Sequence, residues 1–269
     1  MIKTTITDVL SAAGIKNVGF CAFDDVKDHL IDCRAKSRIP QKAKTVIICA
    51  FPYKVKNEPP KFLSRYASVT DYHTVVGNVL NEACQKLKQI YSQNEFEHFC
   101  DNSPIPEVHT AVTAGLGVKG DNGLLITKEY GSFVFLGEIV TDLEIEFKKS
   151  YTECNHCGKC KSACPICLDK SNCLSNISQK KQVTEQELKI LRENGILWGC
   201  DICQNACPMN RNSKTTENKD FINGYRDSYT VGEDITDRPY AWRGEKVIIR
   251  NAKNLSDFPI RKPIRLKKL

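Results

Sequence analysis

Nine of the 14 cysteines in this 269-residue chain fall between Cys154 and Cys207, and that crowding constrains the fold more than any other feature. The run CNHCGKCKSACP places Cys154, Cys157, Cys160 and Cys164 at C-x2-C-x2-C-x3-C spacing, closed by a proline. A second run, CDICQNACP, supplies Cys200, Cys203 and Cys207 before another proline, with Cys167 and Cys173 between the two. The other five (Cys21, Cys33, Cys49, Cys84, Cys100) are scattered and read as small buried hydrophobes. The asymmetry marks a domain boundary near Ser150. At 41% hydrophobic and 26% charged, the chain is neither disordered, collagen-like nor a coiled coil. No apolar run approaches the roughly 18 residues of a membrane helix. The start, MIKTTITDVLSAAGIKNVGF, has no signal-sequence pattern. A cytoplasmic location is therefore expected, where a disulfide framework is not.

A triple C-x2-C-x2-C run ending in Cys-Pro is the spacing of bacterial two-cluster ferredoxins. There, three cysteines hold one cubane and the fourth reaches across to the other. On that pattern Cys154, Cys157, Cys160 and Cys207 hold one [4Fe-4S] cluster. Cys164, Cys200 and Cys203 hold the second, with Cys173 expected as the eighth ligand and Cys167 in reserve. Paired zinc sites are the alternative, although zinc does not need the triple run.

The first 150 residues read as an α/β domain. TVIICAF (residues 45–51), stopped by Pro52, has strand length and β-branched content. Val75, Val76, Val79, Leu80, Ala83, Leu87 and Ile90 recur at helical spacing, which predicts an amphipathic helix from Asp71 to about Tyr91. GLLIT (123–127), the turn KEYG and SFVFLGEIV (132–140) read as a β-hairpin. TEQELKILREN predicts a helix with a Thr184/Glu187 capping box, stopped by Gly195. Gly115, Gly117 and Gly120 spell G-x-G-x-x-G. They follow a predicted helix and precede a strand, the reverse of the dinucleotide-binding setting, so a tight loop is expected. Asp71, His73 and Gly77 nearly spell a corrinoid D-x-H-x-x-G motif, but the glycine is one residue too far for His73 to be assigned as an axial cobalt ligand.

RYASVTDYHTVV (65–76), the block from Asp101 to Asp142, both cysteine runs and CLSNIS at Cys173 together resemble the epoxyqueuosine reductase family. The resemblance covers roughly residues 45–250. It implies a cobalamin-dependent iron-sulfur oxidoreductase, related in build to the reductive dehalogenases. It would reduce epoxyqueuosine to queuosine in a tRNA anticodon loop, with single electrons passing through the clusters to base-off cobalamin. The implied fold class is α+β: an N-terminal α/β, nitroreductase-like cobalamin and substrate domain (1–150), a two-[4Fe-4S] bacterial ferredoxin-like module (151–212), and a C-terminal extension with a basic tail (213–269).

By the same resemblance, Asp101 falls on the proton donor. That role calls for a carboxyl pKa raised by burial, and a helix cap at Pro104 to Pro106 is the competing role for Asp101. Leu125 and Leu136 fall on positions lining cobalamin, with plain core as the alternative. Arg65 and His73 would contact corrin amides or substrate phosphate, or form surface salt bridges. Trp198 is expected to pack against the second cluster. The implied partners are tRNA and an electron donor such as a flavodoxin or ferredoxin, with no membrane, for a monomeric protein.

Family members continue into a helical-repeat domain, whereas this chain ends at Leu269, so it resembles a short form. That difference leaves two competing readings open: a cobalamin-dependent reductase of another substrate, and a non-catalytic electron carrier. The net charge of +7 resides in residues 246–269, where Lys246, Arg250, Lys253, Arg261, Lys262, Arg265, Lys267 and Lys268 face only Asp257. A solvated end and a phosphate-binding tail are the two readings of that stretch.

Overall fold

The computed structural model describes residues 2–147 and 153–256. The boundary expected near Ser150, and the basic residues from Arg261 onward, lie outside them. The chain divides into two units, the first comprising Met1–Pro52, Tyr72–Cys157 and Asn212–Lys214. Its elements are α1 (Ile2–Ala12), β1 (Asn17–Ala22), β2 (Thr45–Pro52), α2 (Tyr72–Ile90), β3 (Phe96–Phe99), α3 (Glu107–Thr113), β4 (Gly117–Lys119), β5 (Leu125–Thr127) and β6 (Val134–Thr141).

β2, the expected strand, is buried almost throughout because it lies inside an antiparallel sheet of order β1-β2-β6-β3. α2 buries Val75, Val76, Leu80, Ala83, Cys84 and Leu87, the stripe its periodicity predicts, against β3 and β6. The contact is close at Gly137, where a Cβ would sit 2.7 Å from Leu80 Cδ1. Side chains alternate across a strand. With Gly137 turned toward α2, Leu136 and Glu138 therefore face the opposite side, where α3 packs on β1, β2 and β6. That side holds Ile48, Ala50, Ala111, Leu125 and Leu136 as one apolar cluster.

The expected hairpin of residues 123–127 with 132–140 does not form. β5 pairs with β4, while β6 runs to the centre of the larger sheet. The KEYG turn does close, with a bridge between Thr127 and Gly131, but the strands part beyond it. β6 is long and buried, so its backbone groups need partners on both edges, and β2 and β3 provide them. Three-residue β5 is satisfied by β4. Gly117 permits that pairing, since a Cβ there would lie 2.3 Å from the Ile126 carbonyl oxygen. The G-x-G-x-x-G run thus spans the end of α3 and β4, the helix-then-strand order read from the sequence.

The second unit comprises Tyr53–Asp71, Gly158–Arg211 and Thr215–Leu269. It carries α4 (Lys159–Ala163), α5 (Leu174–Gln179), α6 (Glu185–Glu193), α7 (Ile202–Ala206), α8 (Lys219–Asn223) and α9 (Glu245–Ser256). α6 begins with the expected capping box, Thr184 to the Glu187 backbone and Glu187 back to Thr184. Trp198 is wholly buried among Leu63, Ala67, Tyr240 and Ile248. Residues 62–66 strap it in: Ser64 N–H donates to the Trp198 carbonyl (2.9 Å), Leu197 N–H to Phe62 (2.7 Å), and Trp198 Nε1 to the Tyr66 hydroxyl (3.1 Å).

The basic stretch from Lys246 is, in its first half, no tail. α9 buries Val247, Ile248, Ala252 and Leu255 and packs on α5 and α6, because its apolar positions recur at helical spacing. Arg250 is engaged there, donating to the carbonyls of Lys180 and Lys181. Among the described residues no helix is long and apolar enough to cross a membrane.

Candidate active site and metal-binding cysteines

Asp101 follows β3 on a tight loop and adopts φ +61°, left-handed backbone that short polar residues tolerate better than most. The head of α2 comes to it. His73 Nε2 lies 3.0 Å from Asp101 Oδ2, and the Tyr72 hydroxyl also hydrogen-bonds the carboxylate. Tyr72 is itself fixed by stacking on Phe135 of β6, ring centroids 4.3 Å apart and nearly parallel. The competing role of helix cap is not what forms, since α3 starts after Pro106 with no side-chain cap. The expectation of a raised Asp101 pKa is corrected. The His73 hydrogen bond holds the carboxyl below its usual range, outweighing burial, because the Asp101 side chain is still 56% exposed. At 3.0 Å the imidazole and the carboxylate are close enough to exchange a proton directly.

Beneath this pair lie two carboxyls that the sequence reading did not single out. Glu138 is fully buried in the middle of β6, on the apolar side of the sheet, opposite Ile48 of β2 and Phe99 of β3. Its Oε2 accepts a hydrogen bond from Ser103 Oγ (3.0 Å), and its Oε1 is buried with no partner. Glu107, in the first turn of α3, hydrogen-bonds the Asp101 backbone. Burial pushes both carboxyls up, Glu107 to about 8; the charge of Asp101 adds to both shifts, and that of Glu107 raises Glu138 further. An acidic residue inside an otherwise apolar eight-residue strand, VFLGEIVT, was the available signal.

Leu125 and Leu136 turn their side chains into the apolar cluster under α3, so what they can offer a cofactor is backbone. Arg65 belongs to the second unit and His73 to the first. Arg65 follows the salt-bridge alternative, but in a buried form. Its backbone N–H and Nη1 both reach Oδ2 of Asp201, at 2.8 and 3.2 Å, and Nη1 also reaches Asn205 Oδ1 at 2.6 Å. Asp201 is 8% exposed and sits between Cys200 and Cys203 in the chain, so Arg65 braces the second cysteine run instead of waiting for a ligand.

No disulfide joins any of the cysteines. Within the second unit α4 and α7 pack together, with Cys160 and Cys207 buried. Burial pushes the Cys200 thiol up to about 12, and Cys203 and Cys173 are near enough to add to the effect. A metal ion removes that cost by binding the thiolate. Proximity to Cys200 favours Cys173 over exposed Cys167 as the partner of this run. In the first unit Cys154 lies with Asp121 and His156, ligand atoms within 4.8 Å of one another.

The family model described as epoxyqueuosine reductase QueG, DUF1730, matches residues 35–102. The epoxyqueuosine reductase of Lactococcus garvieae is 35% identical over 246 residues, 78% of this chain and 70% of the relative. The chain belongs to the epoxyqueuosine reductase family. Another epoxyqueuosine reductase, from Cyclobacterium marinum, is 34% identical over 69% of this chain, and the chain spans 64% of that relative's length. The solved epoxyqueuosine reductase of Streptococcus thermophilus superposes with a TM-score of 0.81 at 26% identity, over 94% of this chain and 80% of that one. A solved epoxyqueuosine reductase in complex with an epoxyqueuosine-modified tRNA stem loop has the same fold, at a TM-score of 0.81 and 22% identity over the same shares.

Proposed function

We propose that this chain is a cobalamin- and iron-sulfur-dependent reductase that converts epoxyqueuosine to queuosine in the anticodon loop of tRNA. The observation that carries the reading is the Asp101–His73 pair, held by Tyr72 within the residues 35–102 that the family model matches. Loss of an epoxide oxygen as water consumes two electrons and two protons. Asp101 would deliver a proton to the departing oxygen, and His73, 3.0 Å away, would supply the proton that Asp101 passes on. The lowered Asp101 pKa suits a group that stores its proton on the imidazole between turnovers.

Cys164, Cys173, Cys200 and Cys203 would hold one [4Fe-4S] cluster, and Cys154, Cys157, Cys160 and Cys207 the other. The donor set fits, being all cysteine, outside any disulfide and, except for exposed Cys157, at least partly buried. When bound, cobalamin would supply a reducible cobalt centre fed one electron at a time by the clusters. The backbone at Leu125 and Leu136 would line it. A flavodoxin or ferredoxin would be the electron donor to a monomeric, cytoplasmic enzyme.

The test is anaerobic purification with added cobalamin, followed by assay on epoxyqueuosine-containing tRNA with a strong reductant. Queuosine formation is expected, abolished by Asp101→Ala with cobalamin still bound. A protein that binds cobalamin and carries intact clusters but forms no queuosine would point to another substrate. One that retains no corrinoid would be an electron carrier.

A further inference from the structure

The loop that presents Asp101 is fastened from below. Ser103 Oγ accepts the Ile105 N–H at 3.0 Å and donates to Glu138 Oε2 at 3.0 Å, while the Ser103 N–H turns back onto the Asp101 carbonyl. Glu107 takes the Asp101 backbone on the other side. Two of these ties end on carboxyls, and one of those carboxyls, Glu138, is wholly buried. Among the described residues no lysine or arginine forms an ion pair with Glu138 or Glu107. The groups that act on them are Asp101 from the loop, His73 from α2 and Cys49 from β2, besides each other. A carboxylate buried without a cation is far more costly than the neutral acid. The unpartnered Oε1 is the natural seat of the proton, since Oε2 already accepts from Ser103.

We propose that Glu138 is a positioning residue for Asp101: as the neutral acid it anchors Ser103, and with Glu107 it fixes the left-handed loop that holds the proton donor in place. The proposal rests on the reading of Asp101 as proton donor only for its catalytic consequence; the latch itself is a property of the loop. Ionising the pair sets two like charges against each other and against Asp101. Any cost of ionisation to the loop is that repulsion, since the hydrogen bonds from the Ser103 hydroxyl and the Asp101 backbone themselves favour a carboxylate. Glu138 touches no reacting atom, and its contribution is geometric.

The test uses the cluster-loaded full chain. Infrared spectra at neutral pH should contain a protonated-carboxyl stretch that loses intensity in Glu138→Gln, with Glu107 supplying the remainder. Amide hydrogen exchange at neutral pH should show protection at Asp101 and Ile105 about tenfold lower in Glu138→Leu, which accepts nothing from Ser103, than in wild type. Glu138→Gln, close in shape and still an acceptor, should keep that protection. Ser103→Ala cuts the tie without touching the buried acid, and should lower kcat about tenfold with KM unchanged. Glu138→Gln should stay within about twofold of wild-type kcat near neutral pH.

Absence of the carboxyl band, or loop protection that is the same in wild type and Glu138→Leu, overturns the proposal. Failure to reduce epoxyqueuosine at all would sink the proposed reaction while leaving the spectroscopic and exchange results, and so the latch, standing.

Discussion

Gly199, just before the second cysteine run, and Gly158, within the first, offer a controlled comparison. Both have left-handed backbone, at φ +68° and +71°, so an alanine at either carries the same conformational cost, about 1–2 kcal/mol. They differ in space. Nothing lies within 4 Å of a Cβ built on Gly158, whereas one on Gly199 would sit 2.0 Å from Ser64 Oγ and 2.7 Å from both Ser64 Cβ and Tyr66 Cε1. Ser64 cannot step aside freely, because its backbone is bonded to Trp198 in the strap. Overpacking of that kind adds about 1–3 kcal/mol, for a total of roughly 2–5 kcal/mol at Gly199. At about 2–4 °C per kcal/mol, Gly199→Ala should lower the midpoint of the second unit by about 10 °C, and Gly158→Ala by only a few degrees. Thermal unfolding of cluster-loaded protein by circular dichroism, with iron counted beforehand, reads both. Equal shifts would refute the steric argument and leave backbone conformation as the whole cost.

His73→Ala should depress kcat by about 100-fold with cobalamin binding unchanged, read as turnover on modified tRNA, since the imidazole is the proton source for Asp101. Cys173→Ser should lower the iron content of the anaerobically purified protein and disturb its reduced-cluster paramagnetic spectrum, while Cys167→Ser should leave both intact. Glu107→Gln should flatten one part of the pH dependence of stability. The folded pKa of Glu107 is raised, so its contribution is fully present below the ordinary carboxyl value near 4.3 and is lost as pH rises through about 8. Melting temperatures across that window should decline less in the variant. Arg238 is 1% exposed and donates to the carbonyls of Val69 and Gly224 and to Asp237. Arg238→Ala strands those groups and should destabilise the second unit by about 3–5 kcal/mol in chemical denaturation.

The elements legible in the sequence were those whose signals are local. β2 announced itself by β-branched residues before a proline, α2 by its stripe from Val75 to Leu87, and α6 by a Thr and a Glu three apart. The mistake over β5 and β6 has a non-local cause. A turn sequence such as KEYG fixes that the chain reverses, but the partner of a long buried strand is chosen by edges that are distant in sequence. The site was legible in the same uneven way. Asp101, His73 and the cysteines could be named, whereas the ion pair that absorbs Arg65 needed Asp201, 136 residues away. Glu138 was hidden by its setting, since strand patterning treats a charged residue as an outward one, and here it points inward.

The strap also bears on how such a chain is made. Tyr66 leaves the ribosome 132 residues ahead of the tryptophan it holds. At about 5–20 residues per second, residues 62–66 wait roughly 7–26 seconds for Trp198, with Phe62 and Tyr66 lacking their apolar cover. During that interval the sheet from β1 to β6 can already form around a 19-residue excursion, Tyr53–Asp71, that belongs elsewhere. Cutting the chain near residue 150 would thus release no self-sufficient C-terminal piece. It would strand the strap on one fragment and Trp198 on the other.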